Sequence, residues 1–168
     1  GGDNVYDIQI EATDSAGDTA QRSLAVQVLE VSGVSGITGG SMANLATAMG
    51  KLYYSYDDGS ETELWEYDPD AGTDQKVHDI NPLGSSNPNT LIEYQGDGGA
   101  LYFKADNGTI EFVYKYDGSS VTVIPSLSNS TWGHFLFRAP TEFDGKLYFI
   151  NANGNQTNSE LIEWDGST

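Results

Sequence analysis

Leu52-Tyr53-Tyr54 recurs as Leu101-Tyr102-Phe103 and again as Leu147-Tyr148-Phe149, at intervals of 49 and 46 residues. A second anchor recurs behind the first: Glu63-Leu64-Trp65-Glu66-Tyr67-Asp68, then Phe112-Val113-Tyr114-Lys115-Tyr116-Asp117, then Glu160-Leu161-Ile162-Glu163-Trp164-Asp165. Trp65 follows Leu52 by 13 residues and Tyr114 follows Leu101 by 13, while the third unit places its anchor slightly later. A period of this size marks stacked supersecondary units whose neighbours share a core. Tyr54, Phe103 and Phe149 at one position, and Trp65, Tyr114 and Ile162 at another, are therefore expected to be seams between successive units.

Each Leu-Tyr-aromatic anchor is preceded by a short strand and a glycine turn: Asn44 to Gly50, Thr90 to Gly96, Thr141 to Gly145. In the first two units a further strand follows the second anchor, Lys76 to Ile80 and Val121 to Pro125. About four short strands in roughly 45–50 residues is the size of one β-propeller blade. The expected fold class is all-β and antiparallel, with four-stranded propeller-like units at about 43–88 and 89–139 and an incomplete third at 140–168. A closed propeller takes about four to eight blades, so these units imply further blades, an open stack, or pairing with another chain.

Ahead of the repeats, Tyr6, Ile8, Ile10 and Ala12 alternate with Val5, Asp7, Gln9 and Glu11, and a second alternating run follows the Asp14-Ser-Ala-Gly17-Asp18 turn. Period two is the mark of a half-buried strand, so residues 1–32 predict a hairpin. Residues 33–42, rich in glycine and serine, read as a linker. The chain opens at Gly1-Gly2-Asp3-Asn4 and closes at Asp165-Gly166-Ser167-Thr168, both turn-like, and reads as a segment of a longer protein.

Two resemblances attach to these motifs. Residues 10–31 resemble the closing strands of bacterial cadherin-like and immunoglobulin-like repeats, whose sandwich takes about seven strands. The resemblance implies that the hairpin ends such a repeat. Glu30 stands at the family's acidic position, and no Asn-Asp follows Val31. Glu63-Leu-Trp65, Val77-His-Asp-Ile-Asn-Pro82, Gly84-Ser-Ser-Asn-Pro88 and Gly145-Lys-Leu-Tyr-Phe149 resemble the "E-L-W-x-x-D-G-T" repeats of bacterial secreted proteins. That resemblance implies a propeller-like array on large surface adhesins or exoproteins.

Charge narrows the partners. Twenty-five Asp and Glu against seven Lys and Arg leave a net −18, which repels nucleic acid and anionic lipid. No cysteine is present, so disulfides, thiolate metal sites and cysteine nucleophiles are absent. No apolar run is long enough to span a bilayer. Hard oxygen ligands in Asp-rich turns suit calcium. Asp68, Asp70 and Asp74 alternate around Gly72 like the first half of a calcium loop, although no glutamate follows at the twelfth position; the same residues also make an ordinary Asp/Gly turn.

The second unit departs from the first where Asp79 to Pro88 is replaced by the longer Ser126 to Pro140. Insertions in repeat folds map to loops, and loops carry function. Trp132, His134 and Arg138 are therefore the expected ligand-binding residues, with cover of a unit edge as the competing role. No catalytic motif is present, and His78 and His134 are the only histidines. The expected function is extracellular adhesion or recognition of a carbohydrate or peptide at a bacterial surface, with calcium in support. A structural spacer or filament contacting neighbouring copies, and a part of a secreted polysaccharide-processing enzyme, are the alternatives.

Overall fold

In a computed structural model, residues 5–27, 39–128, 137–152 and 159–166 are described. The chain divides into two bodies, Gly1–Val34 and Ser35–Thr168.

The first body is a hairpin of β1 (Val5–Thr13) and β2 (Thr19–Gln27), paired antiparallel from Val5 opposite Gln27 to Thr13 opposite Thr19. Asp14 makes its turn. The Asp14 Oδ1 accepts the amides of Ala16 and Asp18 at 2.9 and 3.0 Å, and Gly17 takes a φ of +89° that favours glycine. The alternation predicts one buried face, yet residues 9–23 are all exposed. Ile10 and Ala12, the apolar-side residues of β1 whose side chains are described, stand in water, as a lone two-stranded sheet leaves them.

The second body contains three antiparallel meanders. The first sheet takes β3 (Ser41–Ala48), β4 (Lys51–Asp57), β5 (Thr62–Asp68) and β6 (Thr73–His78) in that order. The second takes β7 (Asn89–Tyr94), β8 (Ala100–Asp106), β9 (Glu111–Tyr116) and β10 (Val121–Val123). The third, among the described residues, has β11 (Arg138–Phe143), β12 (Lys146–Ala152) and β13 (Ser159–Trp164). In the first two sheets Leu52 pairs with Tyr67 and Leu101 with Tyr116, fifteen positions on; in the third Leu147 pairs with Trp164, seventeen on. The later anchor of the third unit is thus a longer hairpin with the same register.

Burial follows the period of the strands. On β8, Leu101, Phe103 and Ala105 join Ala48, Tyr53 and Leu64 of the first sheet in one core. Ala100 and Tyr102, pointing the other way, join Leu147, Phe149 and Trp164 of the third sheet in another. The middle sheet is therefore apolar on both faces, and stacked aromatics such as Phe103 on Tyr114 (5.6 Å) and tilted Phe137 on Phe149 (4.9 Å) fill the two seams. Phe103 and Phe149 occupy the expected seams. Tyr54, their equivalent in the first sheet, is buried on the face turned from the second sheet; its neighbour Tyr56 lies edge-on to both Tyr54 and Trp65.

A feature of the backbone repeats that the residues do not announce. Each first strand carries one register shift, between Ala43 and Ala46, between Asn89 and Ile92, and between Arg138 and Thr141. At each shift one non-glycine residue has positive φ: Asn44 (+55°), Thr90 (+57°) and Ala139 (+47°). Asparagine tolerates that region, but threonine and alanine adopt it at a cost of about 1–2 kcal/mol, so neighbouring packing must hold the bulges in place. Asn44 also makes the bulge useful, donating its Nδ2 to Ser55 Oγ and to Pro88 O.

The two-faced middle sheet makes a quantitative demand. Phe103→Ala is expected to destabilise the repeat body by about 3–5 kcal/mol, as large-to-small core changes do. Leu161→Ala, at an exposed position on β13, is expected to stay within about 0.5 kcal/mol. Denaturant unfolding followed by tryptophan fluorescence measures both.

Candidate functional site

The Asp79–Pro88 connector between the first and second sheets is built around one carboxylate. Glu63, on β5, is fully buried. Its Oε1 accepts the Ser86 amide at 2.9 Å; its Oε2 accepts the Ser86 hydroxyl at 2.6 Å and the Ile80 amide at 3.3 Å. The Thr62 carbonyl next door accepts the amides of Ser86 and Asn87, and the Ser86 carbonyl accepts the Asp106 amide of the second sheet at 2.7 Å. The connector is therefore tied to both sheets by charge-assisted and backbone hydrogen bonds.

Asn81 completes the loop, donating to the Ser85 carbonyl and accepting the Leu83 amide. Gly108, in the β8–β9 turn, has a φ of +91°, and a Cβ placed there would stand 2.7 Å from Asn81 Oδ1, so glycine is required by conformation and by space. Burial pushes the Glu63 carboxyl above its ordinary value, against the pull of the hydrogen bonds from Ser86 and Ile80.

Carboxylates of Glu61, Glu63 and Asp79 lie within 4.8 Å of one another. Lys76 Nζ sits 2.5 Å from Glu61, so one member of this group already has a cation. The Asp68, Asp70 and Asp74 turn is organised differently. Asp68 Oδ1 accepts the amides of Asp70 and Ala71, its Oδ2 lies 3.6 Å from Lys51 Nζ, and Asp74 Oδ2 faces the Tyr54 hydroxyl at 3.5 Å. Asp68 is held below the ordinary carboxylate range chiefly by the Ala71 amide, and burial beside Asp74 raises the Tyr54 hydroxyl to about 12. In this arrangement Asp68 caps the turn and Asp74 accepts from the Tyr54 hydroxyl of β4.

The same capping recurs at other hairpins. Asp58 Oδ1 accepts the Ser60 hydroxyl and the amides of Ser60 and Glu61, which brings its carboxyl down to about 2. Asp117 accepts the hydroxyls and amides of Ser119 and Ser120 and is lowered by them. Much of the acidity of the chain is thus turn chemistry.

The second connector is anchored at both ends. After β10, Ile124 donates its amide to Val113, a helical turn (Pro125–Ser128) follows, and Leu127 is buried with Ile124 in the second seam. At the far end Phe137 is fully buried in the same core. Arg138, the first residue of β11, is exposed beside the Ala139 bulge. Trp132 and His134 lie outside the described residues. The position equivalent to Glu63 in the second sheet is Phe112, since Tyr56 pairs with Glu63 and Ala105 with Phe112. A phenyl ring cannot accept amide hydrogens, so Phe112 offers no counterpart to the acceptor that Glu63 supplies.

Glu63 escaped the sequence reading because a glutamate in an acidic strand gives no sign of burial. Its signal was its pairing with the Ser-Ser-Asn-Pro segment more than twenty residues on. Among the described residues, no helix is long and apolar enough to cross a membrane.

Replacing Glu63 by alanine removes the acceptor of the Ile80 amide and the short bond from the Ser86 hydroxyl, while the Ser86 amide keeps the Thr62 carbonyl, and is expected to cost about 1–3 kcal/mol. The pH dependence has a defined sign. Because the native carboxyl holds its proton more tightly than the unfolded one (4.5), Glu63 contributes its stability at low pH and loses it as pH rises through the elevated value. Asp58 acts oppositely, contributing above 3.8 and losing its share as pH falls towards about 2. Thermal melts from pH 2 to 8 should show Glu63→Gln flattening only the loss on the rising side.

No family model, curated protein or solved structure matches the chain.

Proposed function

We propose that this chain is a propeller-like recognition module of a secreted or surface-attached bacterial protein, entered through the closing hairpin of a cadherin-like repeat, and that it binds a carbohydrate or peptide without catalysing a reaction. The observation that carries the reading is the second connector. Its ends are pinned by Leu127 and Phe137 in the core, it replaces a compact loop with a longer one, and it delivers the exposed Arg138 to a bulged strand edge. Bulges re-aim side chains at sheet rims, and binding residues concentrate on loops held by a rigid scaffold.

The stacked four-stranded meanders support the propeller-like part of the reading. Successive first strands are tied in one manner: Glu93 accepts the Met49 amide at 3.2 Å and Glu142 accepts the Gln95 amide at 2.8 Å. The net charge of −18 directs recognition towards neutral or cationic ligands. Calcium support belongs to this reading and rests on the acidic turns.

A glycan and peptide array probed with the native chain and with Trp132→Ala and Arg138→Ala tests it. Tryptophan and arginine are the residue types that dominate binding hot spots, so each variant is expected to lose about tenfold or more in affinity. Equal binding by all three removes the connector from the site. For calcium, a melt in chelator compared with one in millimolar calcium is decisive: saturation at about 100 times the dissociation constant adds about 2.7 kcal/mol, and an unchanged melting temperature removes the ion.

A further inference from the structure

The three sheets present equivalent positions on the face turned to the following sheet. Leu64 stands opposite Ser55, Val113 opposite Lys104 and Leu161 opposite Ile150. Leu64 and Val113 are 0% and 2% exposed because the next sheet covers them, whereas Leu161 is 73% exposed. Tyr53 and Tyr102 are likewise buried, while the equivalent Tyr148 is only half-buried and Ile150 is exposed. Among the described residues, a surface buried at two junctions is exposed at its third copy, on the outer face of the third sheet. Isolated exposed leucines are ordinary, but an open copy of a built interface marks an interaction site.

What covers that surface is defined internally. At the first junction it is the row Leu101, Phe103, Tyr114 and Tyr116; at the second it is Leu147, Phe149 and Trp164 with Ile162. The row occurs a third time as Leu52, Tyr54, Trp65 and Tyr67, paired Leu52 with Tyr67 and Tyr54 with Trp65, on the face of the first sheet turned from the second. Leu52, Trp65 and Tyr67 are half-buried there, and Tyr54 is buried.

We propose that the outer face of the third sheet receives the first sheet of a second copy of this chain, head to tail, in the manner of the two internal junctions. Such a contact is heterologous, so repetition gives a ring if the rotation closes and a filament if it does not. The proposal rests on the sheet repeat and is independent of what the second connector binds.

One difference makes the contact between copies weaker than those within the chain. Each internal junction is locked by a carboxylate on the following first strand: Glu93, opposite Leu101, and Glu142, opposite Leu147. The equivalent residue opposite Leu52 is Thr47, a neutral hydroxyl at an exposed position. The charge of −18 on each copy also opposes association, and is screened over about 10 Å at 0.1 M salt. Self-association is therefore expected to strengthen as salt rises.

Sedimentation velocity across a concentration series in moderate salt tests the proposal with the full chain. The native protein should associate reversibly, and Leu161→Lys, which lowers the net negative charge while spoiling the contact, should weaken association about tenfold or more. Leu52→Lys should do the same from the other side, with Thr47→Arg at an exposed position as the variant that keeps the test open if Leu52→Lys fails to fold. Mixing Leu161→Lys with either first-sheet variant should restore a one-to-one dimer, because one intact face remains on each copy. A native chain that stays monomeric, association untouched by Leu161→Lys, or mixtures that never pair would each overturn the proposal.

Discussion

β8, in the middle sheet, is buried on both of its faces, and the repeat body depends on that. A strand exposes its residues alternately to two sides, so β8 can serve two cores only if every position is suited to burial. Ala100-Leu-Tyr-Phe-Lys-Ala105 meets the demand: the odd residues enter the seam with the first sheet, and Ala100 and Tyr102 enter the seam with the third. Lys104 is the exception that fits, its stem buried and its ammonium 2.5 Å from Glu111 at the sheet margin. Remove the middle sheet and the cores that it shares with its two neighbours both lose their central layer.

Polar chemistry then decides how one sheet hands the chain to the next. At the first junction a buried glutamate gathers the donors of a ten-residue loop and holds that loop against both sheets. Burying a carboxylate is costly, and three donors offset much of the cost. At the second junction a phenylalanine stands at the glutamate's position, and Leu127 and Phe137, before and after the connector, are buried in the core. Strain at Thr90 and Ala139 lies on the adjoining strand edges, where a scaffold pinned from both sides can sustain it.

Acidity divides along the same lines. Asp14, Asp58, Asp68 and Asp117 accept backbone amides two or three residues on in their turns, an arrangement that explains why aspartate clusters at hairpin ends. Only the Glu61, Glu63 and Asp79 group converges among the described residues, and two of its members are already engaged by Lys76, Ser86 and Ile80.

Local pattern was enough to read the all-β class, the antiparallel meanders and the seam residues Phe103 and Phe149, because a period of two and a recurrent leucine-aromatic anchor are properties of consecutive residues. The turns were legible for the same reason: an aspartate caps amides within its own few residues. The bulges at Asn44, Thr90 and Ala139, the burial of Glu63 and the openness of Leu161 were not. Each depends on which neighbour stands across the sheet or on the next layer, and a glutamate or leucine looks the same in sequence whether that neighbour is present or missing. The sequence by itself determined which residues repeat and which face of each strand is apolar. Tertiary structure alone decided which apolar faces find a partner and which acid is taken out of water to hold the junction, since burial is a relation between distant segments.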